Sequence, residues 1–416
     1  MDVDAATTTD PNPDPRRVDE LWFEDGNIFT LISRVQVQQI RFLNRTAAFR
    51  FGHTAPVWAF TWEGLVHVVE RVQGGKHLRE GRIRAHGNAG HHFILQAGNT
   101  QYRVFRSTLA RRSTVFKDMF SFPQPADAEL VDGCPLVRLP DADVDATPFL
   151  RALFDPEFFL PFPEPTTFDA MHGCLRLAHK YEVPELRRRA LVHLSSKFRT
   201  TLAQKDGVRH FASAWQRKTS LTDIYSWDYL GTMRGAEYLH VVARLAAEVG
   251  ALWILPSVFF SLAADIYPET DAVLLKGTKY AGQRICLSTE DQVRILQGRR
   301  EQTRCSSSIM HQFQEPDPQC QTSASCNTGR MEIFCNNQDM FPTYILDPFL
   351  IWTNNDWEDH RDSLCKICQR TIEHRIKEIM QHFWDHLPQL YGLPDWDVLE
   401  KMKVAAIGDC FLKESS

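Results

Sequence analysis

No stretch of this 416-residue chain is both apolar enough and long enough to cross a bilayer as a helix. The most apolar segment, residues 252–264, is too short and contains Pro256, so it reads as buried core. Residues 1–18 are rich in Asp, Thr and Pro; they read as a disordered leader without the apolar run that secretion needs. A soluble protein of the cytosol or nucleus is therefore expected, with neither secretion nor a membrane partner. Basic charge is not in excess either. A formal net charge of −5 offers no general argument for a nucleic-acid partner, which usually requires a basic stripe. The common enzyme signatures are missing as well: there is no Gly-rich phosphate loop, no Gly-x-Ser-x-Gly elbow and no His-Glu-x-x-His. Sixteen histidines make a distant Cys–His pairing inevitable, so a hydrolase built on one is a weak reading, and no catalysis is expected.

Cysteine is scarce over the first 300 residues, where Cys134, Cys174 and Cys286 stand singly. Seven of the ten cysteines then fall between Cys305 and Cys410. A reducing compartment disfavours disulfides, so clustered thiols there point to metal binding or to buried packing. Cys365-Lys-Ile-Cys368 is the sharpest signal, because the intervening turn brings both sulfurs to one side of a tetrahedral zinc ion. Cys320 and Cys326 form a looser pair in a Gln/Ser/Thr-rich stretch that is hard to explain as core. Cys320, Cys326, Cys365 and Cys368 are thus the candidate ligands of a structural zinc, weighed evenly against ordinary buried thiols. Cys305, Cys335, His311 and His360 are the candidate substitutes.

What is present is ordinary for a folded chain: 43% hydrophobic and 24% charged residues, enough for two or three domains. The expected class is α+β. Phe93-Ile94-Leu95 and the alternating residues 102–105 flank the turn signal Gly98-Asn99 and predict a hairpin. Ser107 is placed to cap a helix carrying Leu109, Phe116 and Met119, ended by Pro123 and Pro125. Leu136-Val137-Arg138-Leu139 predicts a strand, and Thr147-Pro148 predicts a helix start. Phe168, Met171, Leu175, Ala178 and Tyr181 recur at helical spacing, and Pro184 opens another helix with Arg187, Arg188 and Arg189 turned largely to solvent. Asp141, Asp143 and Asp145 lack the Gly and distal Glu of a calcium loop, and are expected to favour the start of the next helix. The aromatic loop of residues 158–162 reads equally as core or as an interaction patch. Ile372, Ile376, Ile379, Phe383 and Leu387 form a stripe expected in core.

Residues 102–120, Tyr-Arg-Val-Phe-Arg-Ser-Thr-Leu-Ala-Arg-Arg-Ser-Thr-Val-Phe-Lys-Asp-Met-Phe, resemble the strand and first helix of a BTB/POZ domain. Residues 177–186, Leu-Ala-His-Lys-Tyr-Glu-Val-Pro-Glu-Leu, are similar to the family's later helix pair. The chain as a whole resembles the long BTB proteins abundant in mushroom-forming fungi, including residues 131–135 and 253–256 and the spaced Cys pair followed by a closer one. Phe105 departs from the pattern, standing where many of the family have His. The resemblance implies a BTB/POZ core with a mostly helical extension and a function in binding proteins. Homodimerisation through Leu109, Phe116 and Phe120, partner recruitment, or both are expected, with a cullin-type ubiquitin ligase adaptor as the alternative.

The expected organisation is a leader at 1–18, a first core strand at 19–28, an insertion at 29–92, the BTB/POZ domain at 93–200 and a helical region with the Cys cluster at 201–416. The insertion stands apart in composition. It holds no Asp, three Glu and nine Lys or Arg, a net +6 in a chain of net −5, and no helical period or paired hairpin is evident in it. Joining Ile28 to Ile94 restores a continuous strand, so a translated intron is favoured over a real loop that binds a partner.

Overall fold

The computed structural model describes residues 16–22, 39–43, 46–50, 57–61, 66–69, 92–123, 128–198, 200–203, 227–228, 235–265, 268–336 and 345–409. They form a mixed α+β protein that divides into two compact units, residues 1–158 and 159–416.

In the first unit, β1 (Arg16–Trp22) leads to four strands, β2 (Gln39–Leu43), β3 (Thr46–Arg50), β4 (Val57–Thr61) and β5 (Val66–Val69). The strands β2 to β5 pair in order as an antiparallel meander of their own, with Gln39 opposite Arg50, Thr46 opposite Thr61 and Val57 opposite Val69. This corrects the expectation that no hairpin organises residues 29–92. The β-branched and aromatic runs of this segment suit strands, and a two-residue connection joins the first pair.

β6 (His92–Ala97) and β7 (Thr100–Phe105) form the expected hairpin, turning at Gly98, whose φ of +55° suits a residue without Cβ. The core sheet runs β1-β7-β6-β9-β8, with β8 (Leu130–Val131) and β9 (Cys134–Leu139) at one side. β1 lies parallel to β7 rather than in line with β6, and begins three residues before the strand expected over 19–28. Residues 23–28, including Asn27 and Ile28, lie outside the described residues.

Two helices follow β7 where one was expected: α1 (Arg106–Arg112) and α2 (Thr114–Met119). Ser113 adopts an extended backbone, and its hydroxyl oxygen accepts the Phe116 N–H at 3.0 Å. A serine that captures a backbone amide competes with helix continuation, so Ser113 caps α2 while Ser107 lies inside α1. Leu109, Phe116 and Phe120 are 0%, 0% and 2% exposed, which corrects their assignment to a protein interface. The sheet absorbs the apolar surplus: Phe120 packs on Phe93 with ring centres 4.7 Å apart and on Phe116 at 5.9 Å. Arg106 lies over Phe93 and donates to the Phe120 carbonyl.

α3 (Asp143–Phe154) starts earlier than Thr147-Pro148 suggested and carries Pro148 inside. Asp143 and Asp145 occupy its first turn, where carboxylates are favoured by the helix dipole. Asp143 also accepts the Thr100 hydroxyl at 2.7 Å, tying the helix start to the hairpin.

The second unit contains α4 (Phe168–Lys180) and α5 (Pro184–Ser195), which bury the stripes expected of them. Arg188 is exposed and Arg187 and Arg189 are half-buried, so the arginines of α5 face solvent in part, and each also reaches a distant carbonyl. Arg187 donates to the Val249 carbonyl at 2.8 Å, Arg188 to Ile407 at 2.8 and 3.1 Å, and Arg189 to Phe159 at 2.6 Å. Guanidinium groups suit this task at Val249 and Ile407, whose carbonyls lie at helix ends and have no intrahelical donor, while Phe159 lies in the loop before α4. Phe159 is itself buried while Leu160 is 40% exposed, so the aromatic loop is partly core.

Beyond these come α6 (Gly235–Glu248), α7 (Leu255–Ala264), α8 (Pro268–Lys276), the hairpin of β10 (Thr278–Tyr280) and β11 (Gln283–Ile285), and α9 (Thr289–His311). The chain finishes on α10 (Ser323–Asn336), α11 (Lys366–Asp385) and α12 (Trp396–Ile407). Residues 252–264 are core, with Trp253, Ile254, Val258 and Leu262 at most 1% exposed. The α11 stripe is core too: Ile372, Ile376 and Phe383 are buried, as is Leu387 just after it, while Ile379 is half-buried. Among the described residues no helix is long and apolar enough to cross a membrane.

Candidate metal centre

Two helix starts converge on the cysteine cluster. Cys320 lies in the connection before α10, and Cys326 lies one turn inside that helix. Cys365 is the N-cap of α11, and Cys368 follows in its first turn. The four Sγ atoms all lie within 4.8 Å of one another, and those of Cys320 and Cys365 are 4.0 Å apart. A zinc ion with Zn–S bonds of about 2.3 Å needs sulfurs roughly 3.8 Å apart, so small contractions complete the tetrahedron. The four-cysteine set read from the sequence is the set that the fold brings together. The substitutes are elsewhere: Cys305 is buried in α9, Cys335 is exposed, His311 pairs with Gln314 at 3.0 Å, and His360 stacks on Trp352. Cys410 lies outside the described residues.

Local chemistry favours thiolates on one side of the cluster. The Cys368 N–H donates to the Cys365 sulfur, aided by the Gln321 N–H, and these donors bring the Cys365 thiol down to about 6. The Cys365 N–H in turn donates to the Cys326 sulfur at 3.1 Å, and the Thr322 hydroxyl is 3.2 Å from that same sulfur. Burial pushes the Cys368 thiol up, since a lone thiolate is poorly solvated there. Four thiolates around a dication leave a charge of −2, which needs a counter-charge inside the fold. Arg330 meets that need: it is 3% exposed, and its Nη1 lies 3.8 Å from the Cys368 sulfur.

Three supporting residues escaped the sequence reading. Arg330 follows Cys326 by four, the spacing that puts two side chains on one helix face, and this was the signal for it. Gly329 lets α10 approach residues 361–363, because a Cβ there would sit 1.9 Å from the Ser363 carbonyl oxygen. Asp317 accepts the Thr371 hydroxyl and the Gln319 N–H, which holds its carboxyl below the usual range and pins the Cys320 connection to α11.

No protein-family model matches the chain, and no curated protein or solved structure does either.

Proposed function

We propose that this chain is a non-catalytic protein-binding module with a BTB/POZ core, whose C-terminal helices are tied together by one structural zinc ion. The convergence of Cys320, Cys326, Cys365 and Cys368 from two helix starts carries the metal part of this reading. When bound, zinc supplies a cross-link between α10 and α11 that the thiols alone do not provide. Cys326 and Cys368 would hold it from the buried side and Cys320 and Cys365 from the half-exposed side, and Arg330 would offset its charge.

Protein binding rests on the resemblance, supported by where its residues fall. Residues 102–120 occupy β7, α1 and α2 beside the central strand, and residues 177–186 span the end of α4 and the start of α5. Self-association, retained from the same resemblance, does not involve the side chains of Leu109, Phe116 and Phe120 in this arrangement. Affinity purification of the full chain with mass spectrometry tests the reading, together with light scattering for its oligomeric state. Specific protein partners or a dimer at tens of micromolar support it, a recovered cullin assigns the adaptor role, and a strict monomer without partners opposes it. We also propose that residues 29–92 are translated intron, a reading that rests on their basic composition, net +6 in a chain of net −5, and not on a lack of hairpins. Transcript sequencing across the junction decides this, and a spliced message joining the codons of Ile28 and Ile94 is the expected result.

A further inference from the structure

One cysteine of each pair is sealed in and one is not. Cys326 and Cys368 are 1% and 0% exposed, whereas Cys320 and Cys365 are each half-exposed. The two half-exposed cysteines belong to different pairs and their sulfurs lie 4.0 Å apart, while the sulfurs of the sealed two are held by their surroundings. The Cys326 sulfur takes the Cys365 N–H, and the Cys368 sulfur faces the buried Arg330. Cys320 sits in a connection rather than within a helix, three residues beyond the Asp317 anchor to α11, so closing the roughly 2 Å between thiol contact and an S–S bond requires a shift of that connection alone.

We propose that Cys320 and Cys365 are an oxidation site for peroxide, closing a disulfide between the two pairs rather than within Cys365-Lys-Ile-Cys368. This inference rests on the zinc reading for its consequence, though not for the choice of sulfurs. The Cys365 thiolate attacks one peroxide oxygen; the O–O bond breaks, a sulfenic acid forms, and the departing hydroxide takes a proton to become water. The Cys320 thiolate then attacks the Cys365 sulfur and displaces the second hydroxide, which is protonated in turn. Two electrons pass from the sulfurs to peroxide, and two waters result. Cys326 and Cys368, the only ligands left, take up two protons as the metal departs. A covalent link between the connection before α10 and the cap of α11 thus replaces the metal link at the same place.

The full chain, its zinc content measured beforehand, is treated with hydrogen peroxide while zinc release is followed with a colorimetric chelator and disulfides are mapped by peptide mass spectrometry. A Cys320–Cys365 disulfide appearing in step with zinc release is expected. A first disulfide joining Cys365 to Cys368, or four unmodified thiols in a large peroxide excess, overturns the proposal. Protein stripped of metal gives a second readout that is independent of zinc affinity: the same pair should oxidise first, and Cys320→Ser should abolish that product. A chain that holds no zinc at the outset yet forms this disulfide upholds the oxidation site while refuting the metal reading.

Discussion

Around β6, the sheet unit seals seven large apolar side chains from solvent: Phe93, Ile94, Leu95, Tyr102, Val104, Leu109 and Phe116 are each at most 1% exposed. α10 offers far less. Its buried residues are Cys326, Gly329, Arg330 and Ile333, a single large aliphatic among two small residues and a charge, and Met331 is 55% exposed. Burial at about 25 cal/mol per Å² can hold the first region without help. The second has too little apolar surface to offset the entropy of ordering a helix, which is the circumstance in which folds employ a metal or a covalent staple.

Removing the metal should separate the two regions most widely. Structural zinc contributes on the order of 10 kcal/mol in free-standing zinc-finger peptides, so Cys368→Ser, or chelation, should strip hydrogen-exchange protection from α10 and the first turn of α11. β6 and β7 should keep theirs; equal loss in both regions would break the distinction. The converse variant, Phe116→Ala, should cost about 3–5 kcal/mol through lost packing and a residual cavity. Its exchange losses belong in residues 92–120, with bound metal unchanged. Gly329→Ala should cost roughly 1–3 kcal/mol, because its methyl group meets the Ser363 carbonyl and pushes α10 away from the cluster. Weakened zinc retention with intact β6 protection is the expected signature, and unaltered retention would count against that close approach.

Acid supplies the mildest test. Burial holds His193 and His240 below the usual histidine value, and each ring shares a hydrogen bond with a backbone carbonyl, Leu160 and Ala236 respectively, at 2.9 Å. Unfolded histidine titrates near about 6.5, so below that pH the unfolded chain binds protons that the folded chain refuses. Their contribution is therefore full above about 6.5 and declines as pH falls toward the depressed folded values, where it levels off. The urea midpoint of the helical unit should drop between about pH 7 and 5.5, and His193→Gln should flatten that drop. A midpoint insensitive to pH in both proteins would contradict this.

Much of the scaffold was legible because local signals and tertiary packing agree there. The turn at Gly98, the proline opening α5 and the stripes of α4 and α11 follow from backbone preference and period alone. The misreadings came where a side chain had two uses. Ser113 and Ser107 are both competent caps by residue type, and in the fold it is Ser113 whose hydroxyl takes a backbone N–H while Ser107 lies inside α1. Three consecutive arginines look solvated on a helical wheel, yet distant carbonyls at Val249, Ile407 and Phe159 recruit them, and no local pattern announces such partners. Leu109, Phe116 and Phe120 seemed a surplus beyond one short helix; Phe93 shows where the surplus goes. The cysteine cluster was readable in part: spacing pairs Cys365 with Cys368 and Cys320 with Cys326 but leaves four substitutes open, and both the choice among them and the neighbouring Arg330 required the fold.

The proposed contrast between a region held by packing and one held by metal stands or falls on metal content. Full-length protein prepared without chelator should carry about one zinc per chain by elemental analysis, and Cys365→Ser and Cys368→Ser should each lose it. Wild-type protein that contains no zinc under those conditions, with α10 still protected from exchange, would contradict the account.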